Sequence, residues 1–141
     1  MQKKNKTKAV VISGSASLSE EMKKWFFYWQ KKGYRVIDWP VPIKAREFGK
    51  KWPVIYKKFY NSLKKTDIHF VANEDKNGIK GYVGAGVFAE ISFSVGLNLI
   101  RKTPIKILLY KMPSKKLFYY KDLSLWIKMG WLKVYCKQDE S

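Results

Sequence analysis

The stretch 67–94 reads Asp67-Ile-His-Phe-Val-Ala-Asn-Glu-Asp-Lys-Asn-Gly-Ile-Lys-Gly-Tyr-Val-Gly-Ala-Gly-Val-Phe-Ala-Glu-Ile-Ser-Phe-Ser94. Its first six residues, apolar but for Asp67 and His69, read as a buried strand. A glycine-containing loop follows over 73–85, and the pattern then predicts a helix over 86–99. Such a loop opening onto a helix N-terminus lets backbone N–H groups meet an anion. Glu90 stands in the first turns of that helix. An acid there competes with a bound phosphate for the same positive end. Its presence implies that Glu90 has its own task, aimed at a neighbouring part of the ligand.

The same alternation extends in both directions. Residues 9–13 are a short β-branched run bounded by Gly14, hence a first strand. Ser17, Ser19, Glu20 and Glu21 open a helix with Met22, Trp25, Phe26 and Trp29 at helical spacing, and Gly33 closes it. Residues 34–38 read as a second strand, and Trp39-Pro-Val-Pro42 as a loop that cannot continue a ladder. Residues 43–51 are ambiguous. Pro53 suits the first position of a helix running to about Lys65, with Ile55, Phe59 and Leu63 inward. Residues 104–110 predict a fourth strand, 111–114 a loop, 117–129 a helix and 131–135 a last strand.

Strands alternating with helices imply a parallel sheet covered on both faces. The expected fold is a single-domain α/β, doubly wound (Rossmann/flavodoxin-like), with a five-stranded parallel sheet ordered 2-1-3-4-5. Its ligand crevice belongs at the strand C-termini, at the switch between the first and third strands. That expectation gathers Ser13-Gly14-Ser15, Asn73 with the loop after it, and residues 110–112 around one cleft.

Composition narrows the function classes. A chain of 141 residues rich in apolar and aromatic side chains forms one domain with a real core. We expect a flexible basic N-terminus over 1–8, the α/β domain over 9–136 and a polar tail over 137–141. The lone Cys136 has no partner for an internal disulfide, which fits a cytoplasmic location. The apolar run after the basic start is too short for a signal segment or a membrane span. The formal net charge is +18, yet Arg35, Arg46 and Arg101 are the only arginines. Nucleic-acid readers lean on arginine for bidentate contacts, so a solvated lysine-rich surface is preferred to a dedicated polyanion site. One histidine and one cysteine far apart exclude ordinary zinc spacing, and no metal or cofactor is expected. No serine-hydrolase elbow is present.

Two motifs carry the chemistry. Ser13-Gly14-Ser15-Ala16-Ser17 joins the first strand to the first helix, with small residues and hydroxyls suited to a phosphate or a sugar. It is neither a Walker A loop nor a dinucleotide fingerprint, and its plainer reading is a tight turn with a serine cap. Gly84-Ala-Gly-Val-Phe-Ala-Glu90 is sharper. Its glycines allow close approach, and near a helix N-terminus Glu90 is expected to stay ionised, as a nucleophile requires. The plainer reading there is a surface carboxylate facing the helix dipole. The flanking Phe88, Ile91 and Phe93 argue for burial instead. Lys76 and Lys80 flank the loop and could meet a phosphate, or be solvated. His69, mid-strand, reads as a packed core histidine.

The segment 60–94 resembles the nucleoside 2-deoxyribosyltransferase-like superfamily, which includes 2'-deoxynucleoside 5'-monophosphate N-glycosidases. The matching pieces are Ser-Leu-Lys-Lys-Thr-Asp-Ile-His-Phe-Val-Ala-Asn at 62–73, Gly-Tyr-Val-Gly at 81–84 and Val-Phe-Ala-Glu-Ile-Ser-Phe-Ser at 87–94. The first strand with Gly14-Ser15 is similar too. The C-terminal part matches in element order alone. The resemblance implies that Glu90 attacks the sugar C1' and displaces the base through an oxocarbenium-like state. It implies that the Gly14-Ser15 turn holds the sugar or a 5'-phosphate, and that the chain forms a homodimer or a higher homo-oligomer. Trp39, beyond the second strand, is a candidate to stack on a base.

The chain also departs from the family. The second acid on the helix before the third strand is absent, since Phe59, Tyr60 and Asn61 stand there. A further acid or serine falls at Gly84, and the first-turn tyrosine of the transferases falls at Ser13 or Gly14. The general acid is therefore not identified: Asp38, Glu74 and Asp75 are candidates, and Asp67 reads as a cap. The pattern Gly84-x-Gly86-Val-x-x-Glu90 also loosely resembles the loop of cytokinin-activating phosphoribohydrolases, with Val87 in place of a threonine. The expected function is base–sugar bond cleavage in a nucleoside or its 5'-monophosphate, by hydrolysis or transfer. Candidate substrate contacts are Ser13, Gly14, Ser15, Trp39, Asn73, Gly84 and Gly86. The rivals are a catalytically silent nucleotide-binding module and a basic nucleic-acid-binding protein.

Overall fold

The computed structural model describes residues 7–102 and 104–136. Of the loose ends expected over 1–8 and 137–141, all but residues 7 and 8 lie outside that range. Five parallel strands, β1 (Ala9–Ser13), β2 (Arg35–Asp38), β3 (Ile68–Val71), β4 (Lys106–Leu109) and β5 (Lys133–Val134), form one sheet in the order β2-β1-β3-β4-β5. The helices α1 (Ser19–Lys31), α2 (Phe48–Lys65), α3 (Ala85–Ile100) and α4 (Tyr120–Lys128) are the crossovers. This is the doubly wound topology expected from the alternation of elements.

The strand period of two sorts the core. Val10, Ile12, Ile68, Phe70 and Leu108 face α1, where they pack on Met22, Trp25 and Trp29. Their neighbours face the other way. Val11 meets Phe59 and Leu63 of α2, while Val71, Ile107 and Leu109 meet Ile91 and Val95 of α3 and Leu123 of α4. One helix therefore covers one face and three cover the other. All residues of β1 and β3 are buried, which is why these central strands read as continuous apolar runs. Register pairs Val11 with His69 and Ser13 with Val71, so Ser13 and His69 stand on the same face, diagonal to one another.

The chain departs from expectation most at α2. It starts at Phe48, after a 3₁₀ turn over Ala45–Glu47, and Pro53 lies inside it rather than at its first position. Local pairs support the early turns: Glu47 and Lys51 form an ion pair at 2.9 Å, and Phe48, Trp52 and Tyr56 stack at i,i+4 spacing. Ile55, expected inward, is exposed, while Phe59 and Leu63 are buried as expected. At the C-terminal end, α4 begins at Tyr120 rather than 117, and β5 keeps only two residues.

The loop between β3 and α3 is pinned at Gly81. Its φ is +59°, and a Cβ there would lie 2.5 Å from the Met112 carbonyl oxygen. Gly81→Ala is expected to cost about 1–3 kcal/mol, as strain in a left-handed position combines with a backbone clash. Urea unfolding checks it: the midpoint should fall with the slope unchanged. Gly86→Ala, with open space around the added methyl, should show no such loss.

Candidate functional site

Ser13 closes β1 with its side chain on the α2–α3 face, fully buried. Its hydroxyl donates to Glu90 Oε1 at 2.8 Å. Glu90 reaches this point from the second turn of α3, whose N-cap is Gly84 in an extended conformation. The Glu90 carboxyl is not an ordinary helix-start acid. Burial pushes the Glu90 carboxyl up to about 7, the Ser13 hydrogen bond pulls it down, and the Asp38 charge pushes it further up. The helix-terminal field fades within the first turn, and Glu90 lies beyond it.

His69 sits behind Ser13. Its Nε2 is 2.6 Å from Ser13 Oγ, and its Nδ1 is 2.8 Å from Ser94 Oγ on α3. The ring is fully buried, which lowers its pKa to about 3 and keeps it neutral. It is a core histidine, as its mid-strand position implies. Its two serine partners are far off in sequence and carry no local signal.

Two adjoining cavities open on Glu90. The larger, about 460 Å³, lies between the 39–43 segment and α2. Trp39, Pro40, Phe48, Trp52, Ile55 and Phe59 make it mostly apolar. The smaller, about 320 Å³, is lined by Ser15, Lys76, Tyr82, Gly84 and Gly86. Gly14, Trp52, Tyr56 and Glu90 line both. Gly14 is tightly fitted: a Cβ there would meet Met22 Sδ at 2.5 Å and the Ala72 carbonyl at 3.2 Å. In the smaller cavity Lys76 Nζ donates to Ser15 Oγ at 2.7 Å, and Ser15 Oγ lies 2.9 Å from Ser17 Oγ. A cation, hydroxyls and the first turn of α3 thus share one wall.

The structure brings Gly14, Ser15, Trp39, Gly84, Gly86 and Glu90 together around these cavities, while Ser13 lines neither and lies buried behind them, joined to the site by its hydrogen bond to Glu90. Asn73 lines neither. It is buried, and its amide brackets two loops, donating to the Lys111 carbonyl at 2.8 Å and accepting from Lys111 N–H at 3.0 Å. Residues 110–112 line neither cavity as well. Tyr110 packs its ring on Trp25, and the loop at 112 closes against Gly81. The cleft therefore opens toward β2 and α2, not toward β4. The candidate acids have other partners. Asp38 accepts from Trp39 N–H and the Ser62 hydroxyl, and its pKa is raised chiefly by burial. Glu74 accepts from Trp25 Nε1 at 2.7 Å. Asp75 pairs with Lys111 and accepts from Gly81 N–H, which lowers its pKa. Asp67 accepts from Ala9 N–H at 2.7 Å, far from the cleft and in the capping role expected.

Sequence reading missed Phe48, Trp52 and Tyr56. Their signal was present as aromatic i,i+4 spacing, but Pro53 drew the helix start past the first two. Among the described residues, no group of three or more His, Cys, Asp and Glu could hold a metal, and no helix is long and apolar enough to cross a membrane. Comparison with protein-family models, with curated proteins and with solved structures yields no match to this chain.

Proposed function

We propose that this protein cleaves the N-glycosidic bond of a nucleoside 5'-monophosphate, with Glu90 as nucleophile. The observation that carries this reading is the position of Glu90, at the junction of an aromatic cavity and a cationic, hydroxyl-rich one. A nucleotide has the matching polarity: a flat base, a sugar in the middle and a phosphate at the far end. The base fits between Trp39 and the Trp52–Tyr56 wall. The phosphate fits by Lys76, Ser15 and the first turn of α3, where a cation and helix-terminal N–H groups favour an anion. The anomeric carbon then lies over Glu90.

The reaction is a double displacement. A Glu90 carboxylate oxygen bonds to C1' as the base leaves with the electron pair of the C1'–N bond. Water then attacks C1', its proton is lost, and Glu90 is released as carboxylate. The Ser13 hydrogen bond holds Oε1. Among the described residues no hydrogen bond engages Oε2, which leaves that oxygen for the sugar.

Trp52→Ala is expected to raise KM for the nucleotide ten- to a hundredfold with kcat little changed, because base–aromatic stacking contributes about 1–3 kcal/mol. Steady-state kinetics check it. Trp52 is partly exposed, so the fold should survive.

A second reading is a nucleotide-binding module without turnover, similar in fold to the enzymes it resembles. It is favoured by one observation: no carboxyl besides Glu90 lines either cavity. Base release separates the two. A module should be stabilised thermally by a nucleotide while releasing no base from it.

A further inference from the structure

On the sheet's α2–α3 face, β1, β3 and α3 contribute one continuous line of polar groups, Glu90–Ser13–His69–Ser94. Its links measure 2.8, 2.6 and 2.8 Å, and Ser13, His69 and Ser94 are all fully buried. A buried imidazole needs a partner on each nitrogen, and here both partners are hydroxyls, which can turn either to donate or to accept. His69's register neighbours on the same face are Val11 and Ile107.

Counting protons fixes the direction of each bond. Ser13 carries a single hydroxyl proton. When Glu90 is ionised it can only accept, so that proton points to Oε1. Ser13 Oγ must then accept from His69 Nε2–H, which leaves Nδ1 bare to accept from Ser94. When Glu90 is protonated, the order can run the other way. Glu90 donates to Ser13, Ser13 donates to a bare Nε2, and Nδ1–H donates to Ser94. The two states hold His69 in opposite tautomers, so the imidazole reports which of them is present.

We propose that His69 is a positioning residue for Glu90, acting through Ser13 in a hydrogen-bond relay whose direction reverses when Glu90 gains or loses its proton. With Glu90 ionised, the imidazole locks the Ser13 proton onto Oε1 and so fixes which oxygen is free. No group other than Glu90 changes charge in the switch. That step fits the burial of His69, which disfavours an imidazolium. The catalytic meaning of the relay rests on the nucleophile assignment above, but the relay itself needs no substrate.

The groups facing Glu90 come from four places: Ser13 on β1, Asp38 at the end of β2, Tyr56 and Tyr60 on α2, and Lys76 and Tyr82 on the loop between β3 and α3. Of these, Asp38 is the other carboxyl whose titration could be confused with that of Glu90.

The chain has one histidine, so ¹⁵N-histidine labelling gives an assigned imidazole without mutagenesis. The experiment follows Nδ1 and Nε2 shifts from pH 5 to 9 in the wild type, Glu90→Gln and Asp38→Asn. The expected result is Nε2–H at high pH and Nδ1–H at low pH in the wild type. The exchange should vanish in Glu90→Gln. In Asp38→Asn it should persist with its midpoint moved to lower pH, because the Asp38 charge is gone. One tautomer throughout, an imidazolium appearing in this range, or an exchange lost in Asp38→Asn but kept in Glu90→Gln would overturn the proposal. A fixed tautomer beside intact base release would sink the relay and leave the glycosidase reading standing. A clean exchange in a protein without turnover would do the reverse.

Discussion

Glutamine in place of Glu90 is expected to lower base release by about a thousandfold or more, as removal of a covalent nucleophile does. Glutamine keeps the volume and can still accept from Ser13 through its carbonyl oxygen, so circular dichroism should show the fold intact. Binding should survive as well, because the aromatic wall and Lys76 are untouched. In the wild type the pH profile should carry the same signature. In the proposed mechanism only ionised Glu90 attacks, and burial raises its pKa to about 7. The rate should therefore rise tenfold per pH unit below about 7 and level off above it. A Glu90→Gln variant that keeps base release would remove Glu90 from the chemistry.

The same substitution should make the protein more stable at neutral and alkaline pH. The Glu90 carboxyl titrates at about 7 when folded, above its ordinary value of 4.5. Between those values the folded protein holds a proton that the unfolded chain has released. The associated stability is therefore complete below about 4.5 and is lost as pH rises to about 7. The full difference amounts to about 3 kcal/mol at most. Glutamine does not ionise, so Glu90→Gln should match the wild type near pH 4.5 and exceed it by up to about 3 kcal/mol at pH 8. Urea midpoints at the two pH values measure the difference. Asp38, also raised by burial, contributes in the same direction in both proteins, and its repulsion with the Glu90 charge is part of the difference measured. Equal stability at both pH values would mean that Glu90 is not held in a site that disfavours its charge. Under the proposed glycosidase reading, holding the Glu90 carboxylate in a buried site exchanges stability for function.

Much of this arrangement is legible in the residues, for identifiable reasons. β1 and β3 are buried on both faces, so their β-branched and aromatic runs stand out, and five strands alternating with helices suggest the doubly wound order 2-1-3-4-5 that the sheet has. Glu90, Gly14 and Ser15 could be placed at a common site because the switch point of such a sheet is a topological consequence. The remainder depends on contacts that local pattern does not carry. Pro53 mimics a helix start, and the aromatic pairing that extends α2 backward is visible only once the helix is granted. The cleft leans toward α2 because Asn73 and Gly81 seal the other side onto 111 and 112, a matter of loop packing. The raised pKa of Glu90 and the serine partners of His69 come from residues brought together across the sheet. Ser13 and Ser94 look like ordinary small residues in sequence, one ending a strand and one inside a helix.

The most direct measurement is base release, followed by chromatography, from a panel of ribo- and deoxyribonucleosides and their 5'-monophosphates, with and without an acceptor base. The account predicts free base from at least one 5'-monophosphate, at a rate above that of the matching free nucleoside and lost in Glu90→Gln. No release across the panel, accompanied by thermal stabilisation with a nucleotide, would contradict it and leave a binding module whose Glu90 shapes the pocket without chemistry.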